Sequence, residues 1–256
     1  MKNFMVVNFR DDKKNPTDKL TTLLQAQIEN ALDLGWEKQD IIILSNVFFR
    51  FMNIRTIKVD LNDFCFTGSK MFGIKWLYDH FDINDVVFSH DLDCWQNAPF
   101  DPPEFKDVGA CQYSQPKFNG GSIFWRRSAK DIIDEVIERL QHDQAKKEEP
   151  ALNEIFKSKT YKDRVTILNY TYNVGCSAFV KRYEGSIKPI KVCHFHPDNR
   201  LAWETHALDR NGLDETSVSP RLEKLVRKHY PNIATELSED GKQKAARLRN
   251  ERLMPK

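Results

Sequence analysis

The stretch Val86-Val87-Phe88-Ser89-His90-Asp91-Leu92-Asp93 decides how this chain is read. A short apolar run that stops at two carboxylates has the form of a buried strand delivering acids to the edge of a sheet. Ligands of open α/β sheets gather at the carboxyl ends of the strands, where such a pair emerges. In extended backbone, residues i and i+2 face the same side, so Asp91 and Asp93 are placed to share one hard cation. The plain alternative is a strand followed by an Asp-rich turn. The flanking sequence has to separate the two.

Upstream, Phe4 to Phe9 is apolar and β-branched and reads as the first strand, ending at Asn8-Phe9-Arg10. Pro16 opens a helix with Thr17 or Asp18 as its cap. Leu20, Leu23, Leu24, Ile28, Ala31 and Leu32 then recur at helical spacing, with Gly35 where a C-cap belongs. Ile41-Ile42-Ile43-Leu44 is a second buried strand. Strand, helix, strand in this order is a βαβ unit and predicts a parallel sheet with a right-handed crossover. A further strand is expected around Ile57 to Val59. Thr67-Gly68-Ser69-Lys70 leads into an amphipathic helix from Met71 to Phe81, directly before the carboxylate strand. A Gly-Ser-Lys at a helix start can meet a phosphate through backbone N–H groups and the lysine charge. The second glycine of a P-loop is missing, however, and a solvated Lys70 is the simpler alternative.

Downstream, Val108 to Tyr113 and the run Phe118-Asn119-Gly120-Gly121-Ser122-Ile123-Phe124-Trp125 read as strands, the second entered through a polar glycine turn. Ser128 and Asp131 resemble a capping box ahead of a helix whose core face is Ile132, Ile133, Val136, Ile137 and Leu140. Another helix starts at Glu148-Glu149-Pro150. Val165 to Leu168 and Ile187 to Val192 complete the strands, the last ending in Cys193-His194-Phe195-His196. An imidazole delivered at a strand end can complete a metal site that two carboxylates began. The Cys and His spacing there is not that of a zinc finger.

The 256 residues suit one large α/β domain, and 40% apolar with 30% charged residues describes an ordinary globular composition. A formal net charge of +2 does not by itself announce nucleic acid. The apolar start at Phe4 is too short for a signal peptide, and no run is long enough to span a bilayer. Cys65, Cys94, Cys111, Cys176 and Cys193 are scattered and odd in number, as free thiols of a reducing compartment would be. A cytoplasmic location is the expectation. From about residue 200 the character changes to two polar helical stretches, Pro220 to His229 and Thr235 to Arg252. The second carries Lys242, Lys244, Arg247, Arg249 and Arg252. Residues 1–199 therefore read as the folded domain and 200–256 as a basic helical extension, packed on it or trailing from it.

Taken together, the motif order resembles a GT-A nucleotide-diphospho-sugar transferase, and in particular the glycogenin-like glycosyltransferases. The residues that carry the resemblance are Lys70, Asp91-Leu92-Asp93, Asn119-Gly120-Gly121, Glu148-Glu149-Pro150-Ala151-Leu152-Asn153, Tyr172-Asn173 and His194-Phe195. It implies a Rossmann-like, mixed but mainly parallel sheet flanked by helices. It further implies that Asp91, Asp93 and His194 hold Mn²⁺ or Mg²⁺ on the diphosphate of a UDP-sugar, and that Asn8 and Arg10 lie near the base and ribose. By the same resemblance, Lys70 approaches the nucleotide or donor sugar, and Asn119 with the Gly120-Gly121 backbone lines the sugar pocket. Glu148 falls where the family has an acid near the anomeric carbon, and Glu149 where it commonly has glutamine. The chain also departs from the family after His194-Phe195, where a lysine expected near the leaving phosphate is missing and Arg200 or Lys191 must serve. Retention of configuration is the favoured outcome; in an inverting enzyme Glu148 or Glu149 would be the base.

For the acceptor hydroxyl, His90 ahead of Asp91 and the overall size also resemble phage, viral and base J-type transferases that glucosylate hydroxymethylated pyrimidines in DNA. The basic extension and an exposed-looking Trp125-Arg126-Arg127 would suit phosphate contacts and base stacking. Protein, lipid and oligosaccharide hydroxyls are the competing acceptors. Two other classes stay open: a haloacid-dehalogenase-type phosphatase, which also uses Asp-x-Asp, and a non-catalytic nucleotide-sugar or DNA-binding module. The phosphatase pattern wants Thr or Val where Trp95 stands, and a later Asp-Asp pair that this sequence lacks.

Overall fold

The computed structural model describes residues 1–9, 17–61, 68–114, 117–142, 148–175, 179–195 and 218–231. The expected βαβ unit is present. Strand β1 (Lys2–Val7) pairs in parallel with β2 (Ile41–Ser45) across α1 (Thr17–Asp33). After α1 the chain turns at Gly35, whose φ of +87° is a conformation that suits glycine. A small hairpin follows, β3 (Arg50–Phe51) with β4 (Ile54–Arg55), and then β5 (Ile57–Lys58). Helix α2 (Ser69–His80) leads to β6 (Val87–His90), which pairs in parallel with β1. Two antiparallel partners, β8 (Val108–Ser114) and β9 (Lys117–Trp125), and β10 (Val165–Ile167) complete a seven-stranded sheet in the order β10-β8-β9-β6-β1-β2-β5.

Both faces of this sheet are covered, which is why its strands read as unbroken apolar runs. On one face α2, α3 (Lys130–His142) and α4 (Glu148–Lys157) pack through Ile74, Leu77, Ile133, Val136, Leu152 and Phe156. On the other, α1 packs through Leu20, Leu24 and Ile28 against Met5, Val7 and Ile43. A second sheet is formed by β7 (Cys94–Gln96), β11 (Val174–Gly175) and β12 (Val192–His194), in the order β11-β12-β7. Between the last two runs α5 (Phe179–Glu184). Helix α6 (Pro220–His229), capped by Ser219, buries Leu222, Leu225 and Val226 among Leu23, Ala26, Trp95 and Phe195. Lys228 and His229 pair with Glu29 of α1. This helix is thus amphipathic and joined to the core. The basic stretch Thr235 to Arg252 lies outside the described residues.

Several expectations are corrected. The last strand is Val192–His194, not Ile187 to Val192: Pro189 has no N–H for a ladder, and Ile187 is exposed. Ser128 does not cap α3; its hydroxyl donates to Asp107 Oδ1 at 2.5 Å, and Asp131 pairs with Arg164 instead. Trp125 is fully buried and donates to Ser89 Oγ at 2.9 Å, so it offers no face for stacking on a base. Lys70 is not solvated, being only 6% exposed.

Candidate functional site

The Asp-x-Asp segment is a turn at the end of β6, closed by Cys94 N–H donating to the Asp91 carbonyl at 3.0 Å. Three neighbours fix it through four hydrogen bonds. Asp91 N–H donates to Gly121 O at 2.9 Å, and Phe195 N–H donates to Asp93 O at 2.9 Å. Gln27 of α1 donates to the carbonyls of Leu92 and Cys94 at 2.8 and 3.2 Å. His90 is structural: burial lowers its pKa to about 4, and its ring lies between the Asp91 carbonyl and the Asn3 amide. The turn therefore presents Asp91 and Asp93 from a rigid frame.

The two carboxylates do not meet the same partners. Asp91 Oδ1 accepts from Lys70 Nζ at 2.6 Å, which also donates to Gly120 O at 2.5 Å and lies 3.2 Å from Glu148 Oε1. Burial alone would depress the Lys70 ammonium, but the charges of Asp91 and Glu148 outweigh it and hold the pKa well above the usual lysine range. Burial pushes Glu148 the other way for a carboxyl, up to about 7, against the pull of Lys70. The side chain of Asp91 is still 42% exposed.

Asp93 faces the second sheet. Antiparallel pairing of β7 and β12 sets His194 opposite Cys94, and Asp93 Oδ1 lies 3.4 Å from His194 Nε2. Asp93, Cys94 and His194 offer ligand atoms that all lie within 4.8 Å of one another. Two donors bound to a divalent ion at about 2.1 Å each stand roughly 3 Å apart, so the Asp93–His194 pair fits one. Cys94 is a weaker candidate, because burial pushes its thiol up to about 12. The expected trio of Asp91, Asp93 and His194 is thus seen as a close Asp93–His194 pair, with Asp91 tied to Lys70 beside it.

Glycines make this approach possible. A Cβ on Gly121 would come within 2.5 Å of His194 Cε1 and 2.7 Å of Cys94 Sγ. Gly175, at φ +135°, sits beside the backbone of His194, and a Cβ there would lie 2.2 Å from its carbonyl oxygen. Asn119 is next to this pair. Its Nδ2 donates to Glu149 Oε1 at 3.0 Å, and its Oδ1 accepts from Gly121 N at 3.0 Å and from Asn173 Nδ2 at 2.6 Å. Asn153 clamps α4 onto β9 by bonding both backbone groups of Phe118.

Just past the end of β1, Asn8 is buried and donates to Leu61 O and Ser69 Oγ; its Oδ1 has no partner among the described residues. Asn46 holds the backbone of Phe9 at both N and O. Beside it Asn46, Lys58, Val59 and Asp60 line a pocket of about 420 Å³. Arg10 and Arg200 lie outside the described residues. Lys191 donates to Pro99 O and is not drawn into the carboxylate cluster. Cys94 and the Asn46 pocket escaped the sequence reading; the first follows an Asp-x-Asp turn with no strand signal of its own.

No protein-family model matches the sequence, and no curated protein matches it. Solved structures do share the architecture. The galactosyltransferase LgtC, in complex with donor and acceptor sugar analogs, gives a TM-score of 0.54 at 14% identity, covering 95% of this chain and 100% of that one. The glycosyltransferase GlyE of Streptococcus pneumoniae TIGR4 gives 0.54 at 12% identity, over 98% of this chain and 63% of that one. The bifunctional glycosyltransferase WbbM gives 0.53 at 15% identity, and this chain spans about half of it, 52%. The fold is that of the GT-A glycosyltransferases. No helix among the described residues is long and apolar enough to cross a membrane.

Proposed function

We propose that this protein is a metal-dependent glycosyltransferase that moves a sugar from a nucleotide-diphosphate donor, a UDP-sugar, to an acceptor hydroxyl with retention of configuration. The observation that carries the reading is the Asp93–His194 pair at 3.4 Å, set at a strand end in a fold that glycosyltransferases share. Asp93 and His194 are the ligands that would hold Mn²⁺ or Mg²⁺, with the exposed side of Asp91 as the third. Such an ion, when bound, acts as a Lewis acid toward the charge of a departing nucleoside diphosphate.

The remaining roles belong to the chain. The pocket beside Asn46, Lys58 and Asp60, with the buried Asn8 oxygen near it, is of a size to take the nucleoside. Asn119 and the Gly120-Gly121 backbone form the wall of the donor-sugar site, and Lys70 fixes Asp91 and Glu148 relative to that wall. Glu148 is buried against Lys70, and Glu149 is tied to Asn119 and Gly120. Glu148 is buried and Glu149 Oε1 is already engaged, which supports retention, with the departing phosphate oxygen taking the acceptor proton. Orientation of the acceptor is then the protein's main task.

For the acceptor, a saccharide hydroxyl is better supported than DNA. LgtC was solved with an acceptor sugar analog, whereas the buried Trp125 removes the stacking surface that favoured a DNA acceptor. The phosphatase reading is disfavoured too, since Trp95, two residues after the second Asp, is a wholly buried core residue. The test is a panel of nucleotide-sugars with and without Mn²⁺, read by thermal shift and by slow donor hydrolysis. One donor should stabilise the protein in a Mn²⁺-dependent way and be hydrolysed, and Asp93→Asn should abolish both. A flat panel, or hydrolysis of simple phosphoesters in its place, overturns the reading. Adding saccharides or hydroxymethylated DNA to the active pair then separates the acceptors.

A further inference from the structure

Glu149 lies at one end of an unbroken hydrogen-bonded chain whose other end is His194. A single oxygen, Oε1, accepts from Asn119 Nδ2 at 3.0 Å and from Gly120 N at 3.3 Å. A carboxylate only accepts, so the Asn119 amide must turn its nitrogen toward Glu149. The Gly121 N–H, a pure donor at 3.0 Å, independently requires oxygen on the other side of that amide. With Asn119 so fixed, its Oδ1 takes the Asn173 nitrogen at 2.6 Å, which leaves the Asn173 oxygen facing His194 Nδ1 at 3.3 Å. Each amide orientation is dictated by the one before it. The far end of the chain is therefore an acceptor aimed at Nδ1.

We propose that Glu149 is a positioning residue for His194: through Asn119 and Asn173 it sets an amide oxygen against Nδ1 and so holds the ring with Nε2 turned toward Asp93. An imidazole that ligates through one nitrogen needs its other nitrogen held by an acceptor, and loss of such a partner weakens metal binding about 10–100-fold. Here the acceptor is an amide, whose own orientation is supplied by a carboxylate two links away. This separates Glu149 from its neighbour Glu148, which it resembles only in sequence. One oxygen takes both of these bonds, and an amide oxygen can accept them in its place.

The functional consequence rests on the transferase reading; the hydrogen bond at Nδ1 does not. In protein labelled with ¹⁵N-histidine, long-range ¹H–¹⁵N spectra report the protonated nitrogen of His194 in the metal-free state, its signal identified by loss in His194→Gln. Mn²⁺ affinity is read in parallel by the electron paramagnetic resonance of the free ion. Wild type and Glu149→Gln should both carry a proton on Nδ1, with Mn²⁺ affinities within about 3-fold, well short of the loss expected when the partner is removed. Glu149→Ala and Asn173→Ala should lose the Nδ1 proton, leaving one on Nε2 toward Asp93, and bind Mn²⁺ about 10–100-fold more weakly. Thermal unfolding confirms that the variants compared are folded. The proposal is overturned if both alanine variants leave the ring unchanged. It is equally overturned if Glu149→Gln stops sugar transfer while keeping Mn²⁺ affinity, because that outcome assigns Glu149 a chemical role. A wild type inactive on every donor would sink the transferase reading and leave these spectra to decide the relay.

Discussion

Asp91 and Asp93 are separated by one residue yet belong to different electrostatic neighbourhoods. Asp91 is joined to a buried lysine that also meets Glu148 and the Gly120 carbonyl. Asp93 is joined to a histidine whose orientation is set from Asn173. The first neighbourhood carries its own cation and is balanced as it stands; the second places a carboxylate beside a ring nitrogen and is completed by a positive charge. An Asp-x-Asp pair is thus not a symmetric clamp. One half holds the strand end to α2 and α4, and the other half faces His194.

The sharpest way to break this contrast is to remove the lysine. Lys70→Met leaves the buried Glu148 and the partly exposed Asp91 without their counter-charge, a loss of about 3 kcal/mol, the low end for a broken buried pair because solvent reaches Asp91. Chemical unfolding at neutral pH should show it, and Glu148→Gln added to Lys70→Met should recover part of the stability. A Lys70→Met variant as stable as wild type would mean that the lysine is no structural counter-ion.

Next in size is the ligand contrast. Asp93→Asn should weaken Mn²⁺ binding about 100-fold or more, roughly 2.8 kcal/mol, while Asp91→Asn should cost about 10-fold, roughly 1.4 kcal/mol, because Lys70 already offsets its charge. Titration of both variants under one set of conditions decides it. Equal losses would restore the symmetric clamp.

Much of the first neighbourhood was legible in the sequence, and much of the second was not. The apolar run before Asp91, the helix at Lys70 and the acidic start of α4 are local patterns with clear periods. What brings them together is a parallel sheet whose crossover rule is general. His194 was found as a residue, but its register was not. The strand that carries it has only three residues, and the apolar letters before it belong to a Pro189 turn. Its partner strand, Cys94–Gln96, follows the turn immediately and gives no alternation. Trp125 was misread because β9 is covered on both faces, so a strand-end aromatic gives no sign of which way it points. The Asn119–Asn173 contact joins residues 54 apart and follows from no local rule.

Gly121 stands where the two neighbourhoods touch, and a methyl group there tests only the second. Gly121→Ala would press on His194 and Cys94, both buried and backed by packed elements. The expected cost is about 1–3 kcal/mol in stability, together with weaker Mn²⁺ binding. Lys70, Asp91 and Glu148 should keep their pairing, so the pH dependence of stability should stay that of wild type. A change in that pH profile would show that the two neighbourhoods act as one.

The smallest effect is the one that reads Glu148 directly. Its carboxyl has a folded pKa raised from 4.5 to about 7, with burial as the leading cause. A raised carboxyl pKa means that the folded state binds the proton more tightly than the unfolded one, so stability falls as pH rises through that interval. The interval runs from about the unfolded value to about 7, and the loss is complete above it. Lys70 works in the same sense, because its pKa is raised too, but it removes stability only at pH above the ordinary lysine range. Between pH 5 and 8 the difference between wild type and Glu148→Gln therefore isolates the carboxyl. Wild type should lose Tm progressively relative to Glu148→Gln across that range. Parallel Tm profiles for the two proteins would mean that Lys70 holds Glu148 ionised throughout. The neighbourhood of Asp91 would then carry net negative charge at every pH, and the division between a balanced carboxylate and a ligand-facing one would have to be redrawn.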